Sequence, residues 1–276
     1  MNIQINSLYS NFILWFMKKS GIDLSLYKEE QMKRRISSFY QKYGASGFPD
    51  ASRMMENDPE MYNSFVEHIT INVTEFYRSP EQWKQLRNSI IPELILDTKK
   101  VSCWSAACSS GEEPYSLSMV FAYNFPGIQV SILATDLDSA ILDQAQLAVY
   151  PQAVIRRLPL TLKEGYLYPQ GMEWKVASKI REKVEFRKHN LLSDPFGSDL
   201  DLILCRNVMI YFTEEAKHQI YERFSASLRE GGFLFVGGTE QINNPGRYAL
   251  EAVGSFFYRK KRSPGGTNEG NPRINC

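Results

Sequence analysis

Over the first eighty residues the apolar positions recur at helical spacing. Ser10 reads as the cap of a segment running to Lys18 and Lys19 and closed by Gly21, with the lysines at the negative end of the helix dipole. Residues 28–43 place Met32, Ile36, Phe39, Tyr40 and Tyr43 on one face, which predicts an amphipathic helix. Asp58-Pro59 and Ser79-Pro80-Glu81 each put proline at a first helical position, so two further helices should start there. Pro92, lacking an N–H, should break or restart the second of these.

From Val101 the pattern changes to strand-like runs, at 101–106, 128–134, 183–188, 201–205 and 233–236. Helical patterns at about 112–124, 138–147 and 213–229 lie between several of them. Such alternation predicts an α/β fold, a parallel sheet with helices on both faces. Residues 148–182 interrupt the rhythm with prolines, tyrosines and mixed charges, and read as an inserted subdomain. The expected division is a helical domain over 1–85, a sheet domain over 86–262 and a disordered tail over 263–276, rich in Gly, Pro and Asn.

Composition narrows the function classes. The 276 residues are 43% hydrophobic and 23% charged, as in an ordinary soluble protein, and the net charge of +1 gives no general argument for nucleic acid. The early apolar run Phe12–Met17 is far short of the ~20 residues a membrane span needs, and it lacks the flanks of a signal peptide. Cys103, Cys108, Cys205 and Cys276 form no C-x-x-C pair and there are three histidines, so no metal site and reduced cytoplasmic thiols are expected.

Candidate chemistry gathers at the strand ends, where an open α/β sheet binds ligands. The run VSCWSAACSSGEEPYS passes from a strand through tiny residues into a helix, yet contains neither G-x-G-x-x-G nor a P-loop, so nothing in it is built for a pyrophosphate. Glu112 opens the helix. Asp136 ends the next strand about 25 residues beyond Gly111, close to the ~20-residue offset of a ribose-binding acid. Asn190 and Asn207 end later strands. Singly, each has a plain structural alternative: Glu112 and Glu113 complement a helix dipole, Asp136 caps a helix, and the asparagines are common at strand ends. Together they suit S-adenosylmethionine, an adenosine with no phosphate and a positive sulfonium.

Several stretches, in order, resemble the chemotaxis receptor methyltransferase (CheR) family: INVTEFYRSPEQW (71–83), WSAACSSGEEPYSLSM (104–119), ILATDLD (132–138), KHNLL (188–192), CRNVMIYF (205–212) and LREGGFLFVGGTE (228–240). The resemblance spans about residues 10–260. It implies a Rossmann-like class I methyltransferase sheet, an all-helical N-terminal domain and a small inserted β-subdomain. It also implies cofactor contacts at Asn72, Thr74, Arg78, Glu112, Asp136, Asn190, Leu191, Arg206 and Asn207, with Glu113 ranked behind Glu112. Tyr211 falls where the family places an aromatic residue near the methyl transfer point. The implied reaction carries a methyl group from S-adenosylmethionine to glutamate carboxylates on cytoplasmic chemoreceptor helices, leaving S-adenosylhomocysteine.

An acidic receptor helix calls for a basic docking face. Lys28, Arg35 and Lys42 recur every seven residues along one flank of the 28–43 helix, with Lys33 and Arg34 elsewhere around it. Composition alone makes this a solvated face; the resemblance makes it the receptor-docking helix. The inserted subdomain looks too short to grip a receptor tail peptide, and a monomer is expected. Two rival functions remain open at this stage: a methyltransferase for RNA or small molecules, and a non-catalytic sensor of the cofactor.

Overall fold

The computed structural model describes residues 2–262, with side chains from Ser7 onward; the expected tail at 263–276, with Cys276, lies outside the described residues. Four helices form an N-terminal bundle: α1 (Asn2–Ser20), α2 (Glu29–Lys42), α3 (Phe48–Asn57) and α4 (Pro59–Ile69). Their apolar faces close on an aromatic core in which Phe65 receives Phe12, Phe16 and Phe39 edge-on at 5.1–5.7 Å. Ser10 does not cap α1. The helix begins a further two turns upstream, and Tyr9 packs against Phe48 at 5.5 Å, a contact that burial along one helix could not reveal. Asp58 does cap α4, accepting from the Met61 N–H at 2.9 Å. The α3 helix was not foreseen; Phe48, Ala51 and Met55 form its short buried stripe.

Two short helices, α5 (Pro80–Gln85) and α6 (Ile91–Leu94), follow the bundle. Between them a wide turn over Leu86–Ile90 lets the Ile91 N–H reach the Leu86 carbonyl, so the helix restarts around Pro92 rather than ending at it. The sheet domain then runs β1 (Lys100–Ala106), α7 (Glu112–Asn124), β2 (Gln129–Asp136) and α8 (Ser139–Leu147). The insertion follows as β3 (Val149–Pro151), α9 (Leu160–Tyr166), β4 (Leu167–Gln170), β5 (Glu173–Val176) and α10 (Ser178–Arg181). The chain finishes with β6 (Val184–Lys188), β7 (Leu200–Cys205), α11 (Glu214–Ser227), β8 (Leu228–Val236), β9 (Leu250–Ala252) and β10 (Phe257–Lys260).

The main sheet has the order β6-β2-β1-β7-β8-β10-β9, parallel from β6 to β8. β10 runs antiparallel between β8 and β9, a reversal that the alternation of elements did not predict. Both faces are covered. In β1, Val101 and Cys103 enter one core, while Trp104 and Ala106 enter the other. Because the chain leaves β1 toward β2 on one side and returns to β7 on the other, a crevice opens at the carboxyl end of β1. The insertion forms its own antiparallel sheet, β3-β5-β4, and leans on the segment that leads from the bundle. There Phe76 meets Tyr150 at 4.8 Å and Glu75 pairs with Arg157 at 2.8 Å.

Candidate cofactor and active site

The turn after β1 forms the floor of the crevice. Ala107, Ser109 and Gly111 all have positive φ, so the backbone doubles back tightly. Behind it there is no slack: a Cβ on Gly111 would stand 3.0–3.1 Å from Ala145, Phe186 and the Tyr150 hydroxyl. Tyr150 donates to the Ser110 carbonyl at 2.6 Å, and the Cys108 N–H donates to Thr135 O at 2.9 Å. Ala107, Cys108 and Ser109 therefore present small side chains to the cavity. The Cys108 thiol is pushed well up by burial and is no nucleophile at neutral pH.

Of the two acids at the start of α7, Glu113 lines the cavity and Glu112 does not. Glu112 is 3% exposed and is not among the cavity-lining residues; its carboxylate takes the Ser110 hydroxyl at 2.7 Å. Burial lifts its carboxyl to about 7. Glu113 lines the cavity, accepts from Ser105 Oγ at 2.8 Å and pairs with Arg206 at 3.1 Å. The physical reason is one helical step of about 100°, whose starting angle is set by the packing around Gly111.

Asp136 closes β2 against this turn, accepting the Ser109 N–H at 2.8 Å and the Asp138 N–H at 3.1 Å. Burial pushes its carboxyl up, and those N–H bonds draw it partly back. Asp138 caps α8 and also receives Asn72 Nδ2 at 2.8 Å and Thr70 Oγ1 at 3.1 Å. The Ser109 hydroxyl reaches Asn72 Oδ1 at 3.4 Å. One carboxylate thus fastens the segment from the bundle over the crevice, and Asn72, Thr74 and Arg78 all line the cavity beneath it.

On the β7 side, Arg206 is buried and donates to Gln82 Oε1 at 2.8 Å and to the Arg78 carbonyl at 2.9 Å as well as to Glu113. Asn207 has φ +63, and the turn it begins carries Tyr211 to the cavity wall. Burial raises the Tyr211 phenol, with Arg35 and Arg78 drawing it partly back, so it stays protonated at neutral pH. Asn190 and Leu191 line the wall beyond β6. Asn190 accepts the Leu192 N–H at 3.0 Å, so its side-chain amide N–H groups are what it can offer a ligand.

The basic residues of α2, with Lys28 just before it, separate into three groups. Lys28 and Arg35 line the cavity, and Arg35 donates to the His68 carbonyl. Lys33 pairs with Glu29 and Glu30 and lies over the Tyr9 ring. Arg34 and Lys42 are exposed. Lys28 and Arg35 come to the cavity because α2 is stitched to the turn at Tyr211: Lys28 N–H donates to Tyr211 O at 2.8 Å, Thr213 N–H to Leu26 O at 2.9 Å, and Tyr27 meets Phe212 at 5.0 Å. Tyr27, Gln31, Met32, Leu137 and His189 also line the cavity. None of them was expected as a site residue from the sequence, where Met32 reads as part of an apolar helix face, and only His189, adjoining Asn190, carried a positional signal.

A doubly wound sheet whose crevice has carboxylates, small residues and no phosphate-binding glycines is the arrangement of S-adenosylmethionine-dependent methyltransferases. Residues 72–255 match the CheR methyltransferase, SAM binding domain, and residues 8–70 match the CheR methyltransferase, all-alpha domain. The chain belongs to the CheR methyltransferase family. It is 44% identical to a chemotaxis protein methyltransferase of Listeria monocytogenes, over 87% of this chain and 92% of that protein. A chemotaxis protein methyltransferase of Borreliella burgdorferi is 33% identical over 93% and 92%, and chemotaxis protein methyltransferase 1 of Pseudomonas aeruginosa is 33% identical over 93% and 98%. Among the described residues, no helix is long and apolar enough to cross a membrane.

Proposed function

We propose that this protein methylates glutamate side chains on the cytoplasmic helices of chemotaxis receptors, as a cytoplasmic monomer, and so serves sensory adaptation. The observation that carries the reading is that one cavity is lined by Glu113 and Asp136 at its floor and by Lys28, Arg35 and Tyr211 elsewhere. The first pair suits the cationic, phosphate-free S-adenosylmethionine. The second group suits an incoming carboxylate.

The residues fit the cofactor in kind. Glu113 would favour its ammonium and sulfonium charges, Asp136 its ribose hydroxyls, and Ala107–Ser109 allow close backbone approach. Asn72, Thr74, Arg78, Asn190, Leu191, Arg206 and Asn207 complete its surroundings. When bound, S-adenosylmethionine supplies a methyl group activated by the sulfonium.

A glutamate side chain has an ordinary pKa near ~4.3, so it arrives ionised and needs no base. Lys28 and Arg35 would draw it in, and Tyr211, still carrying its proton, would donate to one carboxylate oxygen while the other faces the methyl carbon. The segment over Asn72–Thr74 excludes water. Positioning of this kind can contribute on the order of 7–11 kcal/mol.

A docked receptor helix would continue along α2 past Arg34 and Lys42. Strand addition of a receptor tail to the inserted sheet is not part of this reading, and the edges of that sheet support leaving it out. The bond from the Ala177 N–H to Tyr166 O sets the pairing alternation of β4, so Leu167 and Pro169 point outward. Leu167 N–H is already given to Lys163 O and Pro169 has none. On the other edge the Val176 N–H to Ala148 O bond turns Val149 and Pro151 outward in the same way, and of these two Pro151 has no N–H to offer.

Transfer of labelled methyl from S-adenosylmethionine into receptor-bearing membranes tests the reading. Label released by base as methanol is expected. No label with an unmodified receptor, from protein that binds S-adenosylhomocysteine, would overturn it in favour of a sensor.

A further inference from the structure

Glu240 is a buried carboxylate, 5% exposed, that the proposed chemistry does not use. Its Oε2 accepts the Asn207 N–H at 2.6 Å and the Gly237 N–H at 2.8 Å, and its Oε1 accepts the Ile210 N–H at 3.3 Å. Burial pushes its carboxyl up, and the Asn207, Gly237 and Ile210 N–H bonds draw it partly back. Ile210 belongs to the single helical turn Met209–Tyr211, whose first N–H groups have no partner within the turn, and Asn207 leads into it. Glu240 supplies that partner from 30 residues away in the chain.

The fit around it is close. Gly237 has no room for a side chain: a Cβ there would collide with the Glu240 carboxylate and stand 2.8 Å from the Asn207 nitrogen. Asn207 keeps φ +63, a conformation uncommon outside glycine, while its N–H is held by this charge. Val208 O receives the Tyr211 N–H at 3.2 Å, completing the turn.

We infer that Glu240 is a positioning residue: its carboxylate fastens the end of β8 to the turn after β7, and thereby sets Asn207 for the cofactor and Tyr211 for the acceptor carboxylate. The two oxygens divide the work. Oε2 serves Asn207, and Oε1 serves the start of the turn that carries Tyr211.

That division makes Glu240→Gln informative. Its amide oxygen will take the stronger pair of donors, Asn207 and Gly237, leaving the amide NH2 facing the Ile210 N–H. The expected result is S-adenosylhomocysteine affinity close to wild type with kcat for receptor methylation about tenfold to a hundredfold lower, because only the reacting geometry is loosened. Glu240→Ala, which loses both sets of bonds, should also weaken S-adenosylhomocysteine binding by about tenfold or more. Wild-type kcat in Glu240→Gln overturns the inference, and so does an equal loss of kcat and of affinity in that variant, which would mark a general structural role. Glu240→Gln decides the matter if Glu240→Ala does not fold. The inference rests on placing Tyr211 beside the acceptor; wild-type protein that labels no receptor would refute that placement, while the affinity of Glu240→Ala still tests the hold on Asn207.

Discussion

Arg206 Nη1 and Glu113 Oε2 meet at 3.1 Å across the carboxyl ends of β1 and β7, both largely shielded from water. The Arg206 guanidinium lies 4.5 Å from the Phe235 ring centroid, and its Nη2 donates to Gln82 and to the Arg78 carbonyl. The pair therefore joins the floor of the crevice to the segment that covers it. An ion pair in such a place is costly to break on one side only, since the remaining charge stays buried.

Glu113→Gln should weaken S-adenosylhomocysteine binding by at least about tenfold, the loss of one charge-assisted contact plus the disturbance of Arg206. Glu112→Gln should leave binding unchanged, because Glu112 faces Ser110 behind the turn. Titration calorimetry on both variants checks this. The opposite ranking would mean that Glu112 turns into the cavity when the cofactor arrives.

Glu112 should also leave a mark on stability. Its folded carboxyl titrates at about 7 against an ordinary 4.5, so the folded chain holds the proton more tightly than the unfolded one. The stabilisation is complete below the unfolded value and is lost as pH rises through the folded value. Over that window wild type should lose on the order of 3 kcal/mol that Glu112→Gln does not. Denaturant melts of both proteins at several pH values measure the difference; a constant gap would remove Glu112 as the titrating group.

Arg34 and Lys42 are the exposed basic residues of α2, whereas Arg35 belongs to the cavity. Reversing Arg34 and Lys42 to Glu should raise the receptor concentration needed for half-maximal methylation by about threefold to tenfold and leave S-adenosylhomocysteine affinity alone. Arg35→Glu should lower kcat as well. If the double reversal changes nothing, receptor docking lies elsewhere.

A receptor shortened by its last few residues should be methylated as fast as the full-length one. Leu167 and the prolines at 169 and 151 leave the inserted sheet without an outward N–H at these edge positions. A large loss of rate would show that the tail is held in some way other than strand addition.

Much of this protein was legible residue by residue. The run from Val101 to Asn124 announces strand, turn and helix because all three signals are local: an apolar run, tiny residues with a glycine, then acids and a proline at a helix start. The parallel order around β1 and the crevice at its end follow from the alternation of strands and helices. The α3 helix was missed because its stripe is only three residues long, and β9 and β10 because short antiparallel edge strands carry little periodicity.

Other facts were settled only when distant segments met. Tyr9 extends α1 by finding Phe48, and Lys28 and Arg35 reach the cavity because α2 is tied to the turn at Tyr211. The choice between Glu112 and Glu113 depends on how Ala145, Phe186 and Tyr150 crowd Gly111, contacts up to 75 residues away in the chain. Glu240 stands next to a turn 30 positions earlier. Sequence by itself determined which elements form and where ligands can enter, since those depend on neighbours along the chain. Which side chain faces the ligand is a matter of helix rotation and buried hydrogen bonds, and these exist only after packing has fixed both.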